Sequence, residues 1–484
     1  MDDFYAARSR LIPPLPWTTF SPPFSLAGGA GIDSYFGSAG DWNGGRIFDY
    51  EYGEQIFMVG GSLSDTDYLL RYESASDTTF LEYNPTPSAT GFTSSILLNG
   101  EIDGEISVGS QDFFGTTYAE IVIELGAGNI GTPEADLLDF SAETSAVEIR
   151  GLAGDDTLIG GAGNDTLVGG DGDDSMQCGD GDDIFDNTPG NDTIIGGSGN
   201  DLVVDDATGV AQGTYTLIVD LDAGRKYAQE YPEVGPDTLL QIESYRSIGE
   251  IDVRASGNSD GNELHTGSGN DRLDGKEGND TLSGGDGNDT IVGADGDDEI
   301  PGGDTEADLR DVVYGGAGND SIDGGYGNDE LRGDGDNDTI SGGFGTDTVI
   351  GGSGNDVLTG EAWSDLLYGS DGSDFINGGF GYDRMNGGAD GDRFFHLGVA
   401  DHGSDWIQDY DASEGDVLVF GQSGATGADF QINITETANA GVAGTEEAFV
   451  IYRPTGQIMW ALVDGSAQAE INMLVNGVEY DLLA

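Results

Sequence analysis

The chain has 484 residues, and its composition is far from that of an ordinary globular protein. It contains 84 glycines, and its 91 aspartates and glutamates against 16 lysines and arginines give a formal net charge of -75. Such acidity excludes nucleic acid and anionic membrane surfaces as expected partners, because both are bound through positive charge. It favours cations, which would relieve the self-repulsion of the folded chain.

The N-terminal sequence MDDFYAARSRLIPPLPW lacks the charged-then-apolar pattern of a cleaved signal peptide. No stretch is apolar for long enough to cross a bilayer, so we expect no transmembrane segment. We expect an N-terminal tail at residues 1–27, a β module at 28–118 and a lead-in β segment at 119–150. The single cysteine, Cys178, excludes an internal disulfide framework.

A nine-residue repeat begins at Gly151 and runs without a gap through a first block, residues 151–204. Its units read GLAGDDTLI, GGAGNDTLV, GGDGDDSMQ, CGDGDDIFD, NTPGNDTII and GGSGNDLVV. After a β spacer at 205–257, a second block at 258–395 carries the same pattern and includes one irregular unit, EADLRDVVY. A β-rich C-terminal region at 396–484 follows. Internal repetition of this kind predicts a solenoid.

Each unit predicts one tight loop followed by one short strand. Glycines at positions one, two and four allow backbone angles that other residues avoid. The last three residues favour a strand, in which the large apolar residue at position eight points inward and its neighbours point outward. Leu158, Leu167 and Ile194 are examples. Because the units follow one another without helices, the sequence predicts an all-β solenoid with two units per turn and parallel strands on two faces.

Position six is aspartate in nearly every unit, so stacking the units would place the carboxylates in two ladders. Stacked like charges repel, whereas a hard divalent cation held by carboxylates and turn carbonyls would reverse the sign of that interaction. Oxygen ligands and only three histidines favour Ca²⁺ over zinc or copper. The predicted ligands of several calcium ions are Asp156, Asp165, Asp174, Asp183, Asp192, Asp201, Asp271, Asp280, Asp289, Asp298, Asp320, Asp329, Asp338, Asp347, Asp356, Asp365, Asp374, Asp383 and Asp392, with Asp311 in the irregular unit.

The metal is also expected to be necessary for folding. One buried apolar residue per unit contributes roughly 1.5–3 kcal/mol. Ordering the residues of a unit costs about 1–2 kcal/mol for each residue. Since hydrogen bonds close only part of that gap, we expect metal binding to supply the missing folding free energy.

The pattern GGxGxDxUx, with U a large apolar residue, resembles the signature of the RTX (repeats-in-toxin) family. The resemblance covers about 180 residues and implies a right-handed parallel β-roll in two blocks with cap modules. It also implies calcium in the loops and type I secretion with an uncleaved C-terminal signal. Residues 396–484, ending in EYDLLA, look like the cap of serralysin-type proteases with such a signal. The sequence from Gly28 aligns with that from Gly387, so the N-terminal module resembles a second cap.

Motifs for catalysis are absent from the sequence. His265, His396 and His402 do not form the HExxH motif of a zinc protease. The serine of GGSGND stands in the register of the repeat, which favours a structural role over a hydrolase nucleophile. Tryptophans could provide a carbohydrate platform, although packing is the favoured interpretation for Trp42, Trp363, Trp406 and Trp460.

These observations predict a secreted, extracellular or cell-surface protein that folds on extracellular calcium and has no enzymatic activity. Its expected role is binding, adhesion or matrix formation, and its expected partners are calcium, the type I secretion machinery and a polysaccharide or cell surface. The alternative is the non-catalytic repeat portion of a secreted enzyme of the polysaccharide epimerase or hydrolase type, with any activity in residues 1–150.

Overall fold

The computed structural model forms two compact units, Met1–Leu138 with Ile149–Ala153, and Asp139–Glu148 with Gly154–Ala484. The structure describes the backbone of nine strands before residue 126, and then residues 129–484 except 188, 209, 211, 230–235, 304, 400–401 and 438–439. The tail predicted at 1–27 therefore lies outside the described residues, apart from Ser25–Leu26.

The described strands before residue 126 form two small sheets. One has the order β1 (Ser25–Leu26), β3 (Gly45–Ile47), β7 (Ser94–Asn99), β6 (Thr78–Tyr83) and β5 (Tyr68–Glu73). The other has the order β2 (Ser34–Ser38), β4 (Gln55–Val59), β9 (Thr116–Leu125) and β8 (Gly104–Phe113). Strands β10 (Leu137–Asp139) and β11 (Glu148–Ala153) each have residues assigned to both units.

The second unit is a solenoid built on two long sheets of parallel strands. The stacked strands of sheet I are β12 (Thr157–Ile159), β14 (Ser175–Asp180), β16 (Thr193–Ser198), β20 (Asp237–Leu240), β22 (Asp252–Ser256), β24 (Arg272–Glu277), β26 (Thr290–Asp295), β28 (Val312–Ala317), β30 (Glu330–Gly335), β32 (Thr348–Ser353), β34 (Leu366–Asp371), β36 (Arg384–Ala389), β38 (Asp405–Ile407) and β42 (Gln457–Leu462). Those of sheet II are β13 (Thr166–Asp171), β15 (Ile184–Asn187), β17 (Leu202–Ala207), β21 (Ser244–Gly249), β23 (Glu263–His265), β25 (Thr281–Ser283), β27 (Glu299–Ile300), β29 (Ser321–Asp323), β31 (Thr339–Ser341), β33 (Val357–Thr359), β35 (Phe375–Asn377), β37 (Arg393–His396), β39 (Val417–Phe420) and β43 (Asn472–Val475).

The register of the solenoid follows the sequence repeat. Thr348 of β32 pairs with Leu366 of β34, so that two nine-residue units make one turn. Position-eight residues such as Leu158, Leu167 and Leu358 are completely buried between the sheets. The described residues contain no α-helix, only two short 3-10 segments, Gly427–Asp429 and Gly465–Ala467. The prediction of an all-β parallel solenoid of the β-roll type is confirmed.

The spacer continues both sheets instead of interrupting them. Strands β20 and β21 stack on β16 and β17 across insertions in the chain. The insertion before β20 contains a hairpin of β18 (Thr216–Asp220) and β19 (Arg225–Ala228), and β19 also pairs with β20. The hairpin therefore delivers extra side chains, including Lys226, to one rung of the solenoid.

The C-terminal region closes the sheets with antiparallel strands. β40 (Phe430–Thr435) and β41 (Glu447–Tyr452) extend sheet I beyond β42, and β44 (Val478–Asp481) extends sheet II beyond β43. The core of this region contains Trp460, Met459 and Met473, which are completely buried. No helix among the described residues is long and apolar enough to cross a membrane.

The strand order of the first unit has a counterpart in this C-terminal region. β1, β3 and β7 pair in parallel and β6 and β5 follow antiparallel, as do β36, β38, β42, β41 and β40. Ile47 pairs with Leu98 in the first unit, and Ile407 pairs with Leu462 in the second. The side chains on which the predicted cap duplication depends lie outside the described residues, so the duplication stays a prediction that this strand order favours.

Candidate metal centre

Hydrogen bonds to the neighbouring turns hold each position-six aspartate at the start of a strand. The N–H of Asp338 donates to Oδ1 of Asp356 at 2.9 Å, and the N–H of Asp356 donates to Oδ1 of Asp374 at 2.8 Å. The carbonyl of Asp356 accepts the N–H of Phe375 at 2.8 Å. One carboxylate oxygen of each rung thus serves as an acceptor for the backbone of the preceding rung, which explains why aspartate recurs at this position.

The nineteen predicted ligands form two ladders, as expected. Each of them is at most 3% exposed, so the carboxylates are buried between rungs. Ladder I precedes the strands of sheet I and contains Asp156, Asp174, Asp192, Asp271, Asp289, Asp329, Asp347, Asp365 and Asp383, together with Asp311. Ladder II precedes the strands of sheet II and contains Asp165, Asp183, Asp201, Asp280, Asp298, Asp320, Asp338, Asp356, Asp374 and Asp392.

The second carboxylate oxygen, Oδ2, has no hydrogen-bond donor in most rungs. Among the nineteen predicted ligands, seventeen bury an Oδ2 that accepts no hydrogen bond. The exceptions are Asp165, whose Oδ2 accepts the N–H of Gly161 at 2.8 Å, and Asp156, which makes a further interaction. Burying an unpartnered carboxylate oxygen is strongly unfavourable, so a cation at these positions would stabilise the fold.

These oxygens point into cradles that the position-one glycines keep open. A Cβ on Gly351 would collide with Oδ2 of Asp356 and would lie 2.9 Å from the carbonyl oxygen of Gly369. Gly275 has the same surroundings, with Oδ2 of Asp280 and the carbonyl of Gly293. In these rungs the cradle therefore brings together a carboxylate oxygen of one rung and a carbonyl oxygen of the next.

Burial raises the pKa of the ladder carboxyl groups, because the charged form loses its hydration. The N–H of the preceding rung lowers these pKa values, and neighbouring carboxylates raise them again. The resulting pKa is about 7 for Asp192, Asp201, Asp271 and Asp338, and about 8 for Asp289, Asp329, Asp365 and Asp392. A bound divalent cation would favour the charged form and reverse this effect.

Apart from the irregular unit, three predicted units lack glycine at position one: those that start at Cys178, Asn187 and Thr266. Cys178 takes the place of the position-one glycine beside Asp183, and its thiol lies close to that carboxylate. Burial and then the surrounding carboxylates raise the pKa of the Cys178 thiol far above its ordinary value. Thr266 takes the same place beside Asp271. The side chains of Cys178 and Thr266 occupy space that glycine leaves open elsewhere.

Sequence reasoning missed several ladder members outside the regular repeats. Asp237 accepts the N–H of Asp192 at 2.9 Å, and Asp416 accepts the N–H of Asp392 at 2.9 Å. Each begins a segment that matches the strand half of the repeat, DTLL for Asp237 and DVLV for Asp416. The glycine-rich half of the repeat is not present before either segment. The remaining missed members are Glu243, which accepts the N–H of Asp201; Asn262, which donates to Asp280; and Asp405, which is buried beside Asp383.

The donor set of the cradles fits calcium. It consists of carboxylate and carbonyl oxygens, which are the ligands that Ca²⁺ takes in proteins. No group of three or more His, Cys, Asp or Glu side chains within the described part of the chain could hold a metal ion, so backbone carbonyls have to complete the coordination. In a regular rung, Oδ2 of the position-six aspartate and the carbonyls around the glycine turn would hold the ion. The bound ion supplies positive charge between buried carboxylates.

The family model of the RTX calcium-binding nonapeptide repeat (4 copies) matches residues 148–176, 179–204, 257–300, 308–340, 341–362 and 360–394. All nineteen predicted ligands lie within these stretches. A comparison with curated proteins finds no match. The matched repeats coincide with the rungs that contain the carboxylate cradles, and repeats of this family bind several calcium ions. The solenoid of this chain is therefore built from RTX-type calcium-binding nonapeptide repeats.

Proposed function

We propose that the chain is exported unfolded through a type I secretion system and folds outside the cell when it binds calcium. Extracellular calcium modules bind at about 10⁻⁴–10⁻³ M, which is well above cytosolic free calcium. The observation that carries the proposal is the series of buried Oδ2 atoms without hydrogen-bond donors along both ladders. A chain that must bury so many carboxylates is stable only where a cation is plentiful.

In this proposal the folded protein acts as a non-enzymatic extracellular or cell-surface binding protein, such as an adhesin or matrix component. The histidines of the C-terminal region support the non-enzymatic part. The ring of His396 lies 4.7 Å from that of His402 and 5.6 Å from that of Trp460, centroid to centroid. Burial, and then the neighbouring His402, lowers the pKa of His396 to about 4, so the imidazole is neutral at physiological pH and packs as part of the core.

A calcium titration of metal-free protein tests the folding part of the proposal. Far-UV circular dichroism is expected to show a cooperative coil-to-β transition near millimolar calcium, and magnesium is not expected to replace it, because magnesium demands a stricter octahedral geometry. A chain that is fully β-structured in excess chelator would refute the proposal.

Export is tested by expressing the chain with and without a type I transporter. The proposal expects the protein in the medium only when the transporter is present. Appearance in the medium without the transporter, or retention in the cell with it, would contradict the secretion route.

A further inference from the structure

Five aromatic side chains lie along one edge of the second block, in the turns that lead into ladder I. We name this set the aromatic edge; it consists of Tyr326, Phe344, Trp363, Phe380 and Tyr382. Four of them are strongly exposed, with 52% of Phe344, 68% of Trp363, 55% of Phe380 and 70% of Tyr382 accessible to solvent. Contiguous exposed apolar groups of this kind mark interaction surfaces in soluble proteins.

The solenoid places Tyr326, Phe344 and Phe380 in line, and Trp363 follows Ala362, which occupies the same line. The backbones of Tyr326 and Phe344 form a parallel bridge, as do those of Phe344 and Ala362, and of Ala362 and Phe380. The rings of Tyr326 and Phe344 stack with centroids 4.7 Å apart. Because successive rungs are about 4.7–4.9 Å apart, the aromatic edge is a narrow, regular track that matches a linear ligand.

The backbone of Trp363 is held in a conformation that suits glycine. Its φ is +97°, and it stands at position four, where the neighbouring units have Gly345 and Gly381. A bulky residue with positive φ is strained, and this side chain buries little surface in return. Asp334 and Ser370, on the opposite edge of the neighbouring turns, also have positive φ, so it is the exposed indole ring, and not the backbone angle, that distinguishes Trp363.

The aromatic edge is also depleted in charge. Residues 325–328, 343–346, 361–364 and 379–382 read GYGN, GFGT, EAWS and GFGY, with Glu361 as their one charged residue. The opposite edge of the neighbouring turns, residues 316–319, 334–337, 352–355 and 370–373, reads GAGN, DGDN, GSGN and SDGS, with three aspartates and no aromatic residue. In a chain of net charge -75 this contrast indicates an uncharged partner.

We propose that the aromatic edge binds a neutral, linear polysaccharide; this deepens the proposed extracellular binding function and depends on it. Aromatic rings offer flat apolar faces to the C–H faces of sugar rings, while Asn328, Thr346 and Ser364 beside them offer amide and hydroxyl groups to sugar hydroxyls. An anionic polysaccharide, an anionic membrane or a second copy of this chain would be repelled by the surrounding carboxylates.

The test uses the full chain in millimolar calcium and affinity electrophoresis in gels that contain hydroxyethylcellulose, dextran or alginate. The wild type is expected to be retarded by a neutral polymer and not by alginate. The triple variant Phe344→Ser, Trp363→Gly, Phe380→Ser is expected to lose at least about tenfold in affinity for the neutral polymer. Trp363→Gly relieves the positive φ at this position, so the calcium-induced β structure of the triple variant should be as stable as that of the wild type or more stable. A loss of binding by the triple variant can then be distinguished from a loss of folding.

A matched control is Ser370→Gly, which relieves a φ of +86° on the opposite edge and should leave binding unchanged. Equal retardation of the triple variant and the wild type overturns the proposal, as does retardation by alginate alone. Self-association in ultracentrifugation that the triple variant loses would identify a second copy as the occupant and overturn it too. If the wild type adheres to cells but binds no neutral polymer, this inference fails and the proposed function stands; if it binds neither, both fail.

Discussion

The rung that joins the first block to the spacer has the same backbone hydrogen bonds as the repeat rungs but a different partner for its carboxylate. In the repeats, Oδ2 of residues such as Asp356 is buried without a hydrogen-bond donor. At the spacer, Oδ2 of Asp237 lies 3.1 Å from Nζ of Lys226, which is also 2.7 Å from Oδ1 of Asp205. The side chain of Lys226 is 5% exposed.

This comparison shows that the ladder can be neutralised in two ways. The regular cradles depend on a cation from solution, whereas the hairpin β18–β19 brings a cation that is part of the chain. Burial lowers the pKa of Lys226, but Asp205 and Asp237 outweigh it and the net shift is upward, so the ammonium group stays charged. The spacer rung should therefore be independent of calcium, unlike the rungs on either side.

The largest expected effect is a dependence of the regular ladder rungs on pH. Without metal, the folded pKa values of about 8 for Asp289, Asp329, Asp365 and Asp392 lie above the unfolded value of about 3.9. The folded state therefore binds more protons, and its stability is lost as pH rises from about 4 to about 8. Metal-free protein should gain β structure on acidification, as measured by circular dichroism.

With calcium present the dependence should reverse, because protons compete with the ion for the same carboxylates. The midpoint of the calcium titration should move to higher concentration as pH falls. A metal-free chain with the same spectrum at pH about 5 and about 8 would show that the ladder carboxyls do not control folding.

The next largest effect is expected from Lys226→Met. This change leaves Asp205 and Asp237 buried without their cation, and breaking a buried ion pair costs about 3–5 kcal/mol of unfolding free energy. Two freed carboxylates also make a new oxygen site, so raising calcium should restore part of the loss. Urea unfolding at several calcium concentrations measures both effects.

Lys276→Met is the control for this variant. Lys276 pairs with Asp274 at 2.6 Å, but 47% of its side chain is exposed, so its removal should change stability by less than about 1 kcal/mol. Equal losses in the two variants would mean that Lys226 has no special role at the spacer rung.

A smaller effect is expected from closing one regular cradle with Gly351→Ala. The new methyl group would collide with Oδ2 of Asp356, and overpacking of this kind costs about 1–3 kcal/mol. Equilibrium dialysis should show fewer bound calcium ions. In the control Gly335→Ala, the nearest atom to the new Cβ is 3.4 Å away, and calcium binding should be unchanged. Normal calcium binding by Gly351→Ala would place the ions elsewhere.

Much of this architecture could be predicted from the sequence because its signals are local and repeated. Position eight predicts the core, and position six predicts the ladders, as Leu358 and Asp356 show. The repeat pattern does not predict Asp237 as a ladder member, because the spacer contains only the strand half of the motif. Lys226 could not be predicted for a different reason. Its contact with Asp205 depends on the position at which a hairpin folds back, and the spacing of residues within a repeat unit does not determine that position.

The aromatic edge was only partly accessible to sequence reasoning. The sequence favours packing over a carbohydrate contact for Trp363, yet most of this side chain is exposed, whereas Trp460 is buried in the core. The edge on which a turn residue lies depends on whether the strand that follows the turn belongs to sheet I or to sheet II. The alignment of Phe344 and Phe380 becomes visible only when alternate units are stacked.

The smallest expected effect is a gain of calcium at a cradle that a side chain partly fills. Cys178→Gly removes the thiol beside Asp183 and restores the glycine that regular units have at position one. Equilibrium dialysis should then show one more bound ion, or tighter binding at this rung, because Oδ2 of Asp183 becomes accessible to calcium. Cys178→Ala keeps a Cβ in the cradle and should not show the gain. If both variants bind calcium as the wild type does, the thiol does not limit this rung, and its cradle binds calcium as the glycine cradles do.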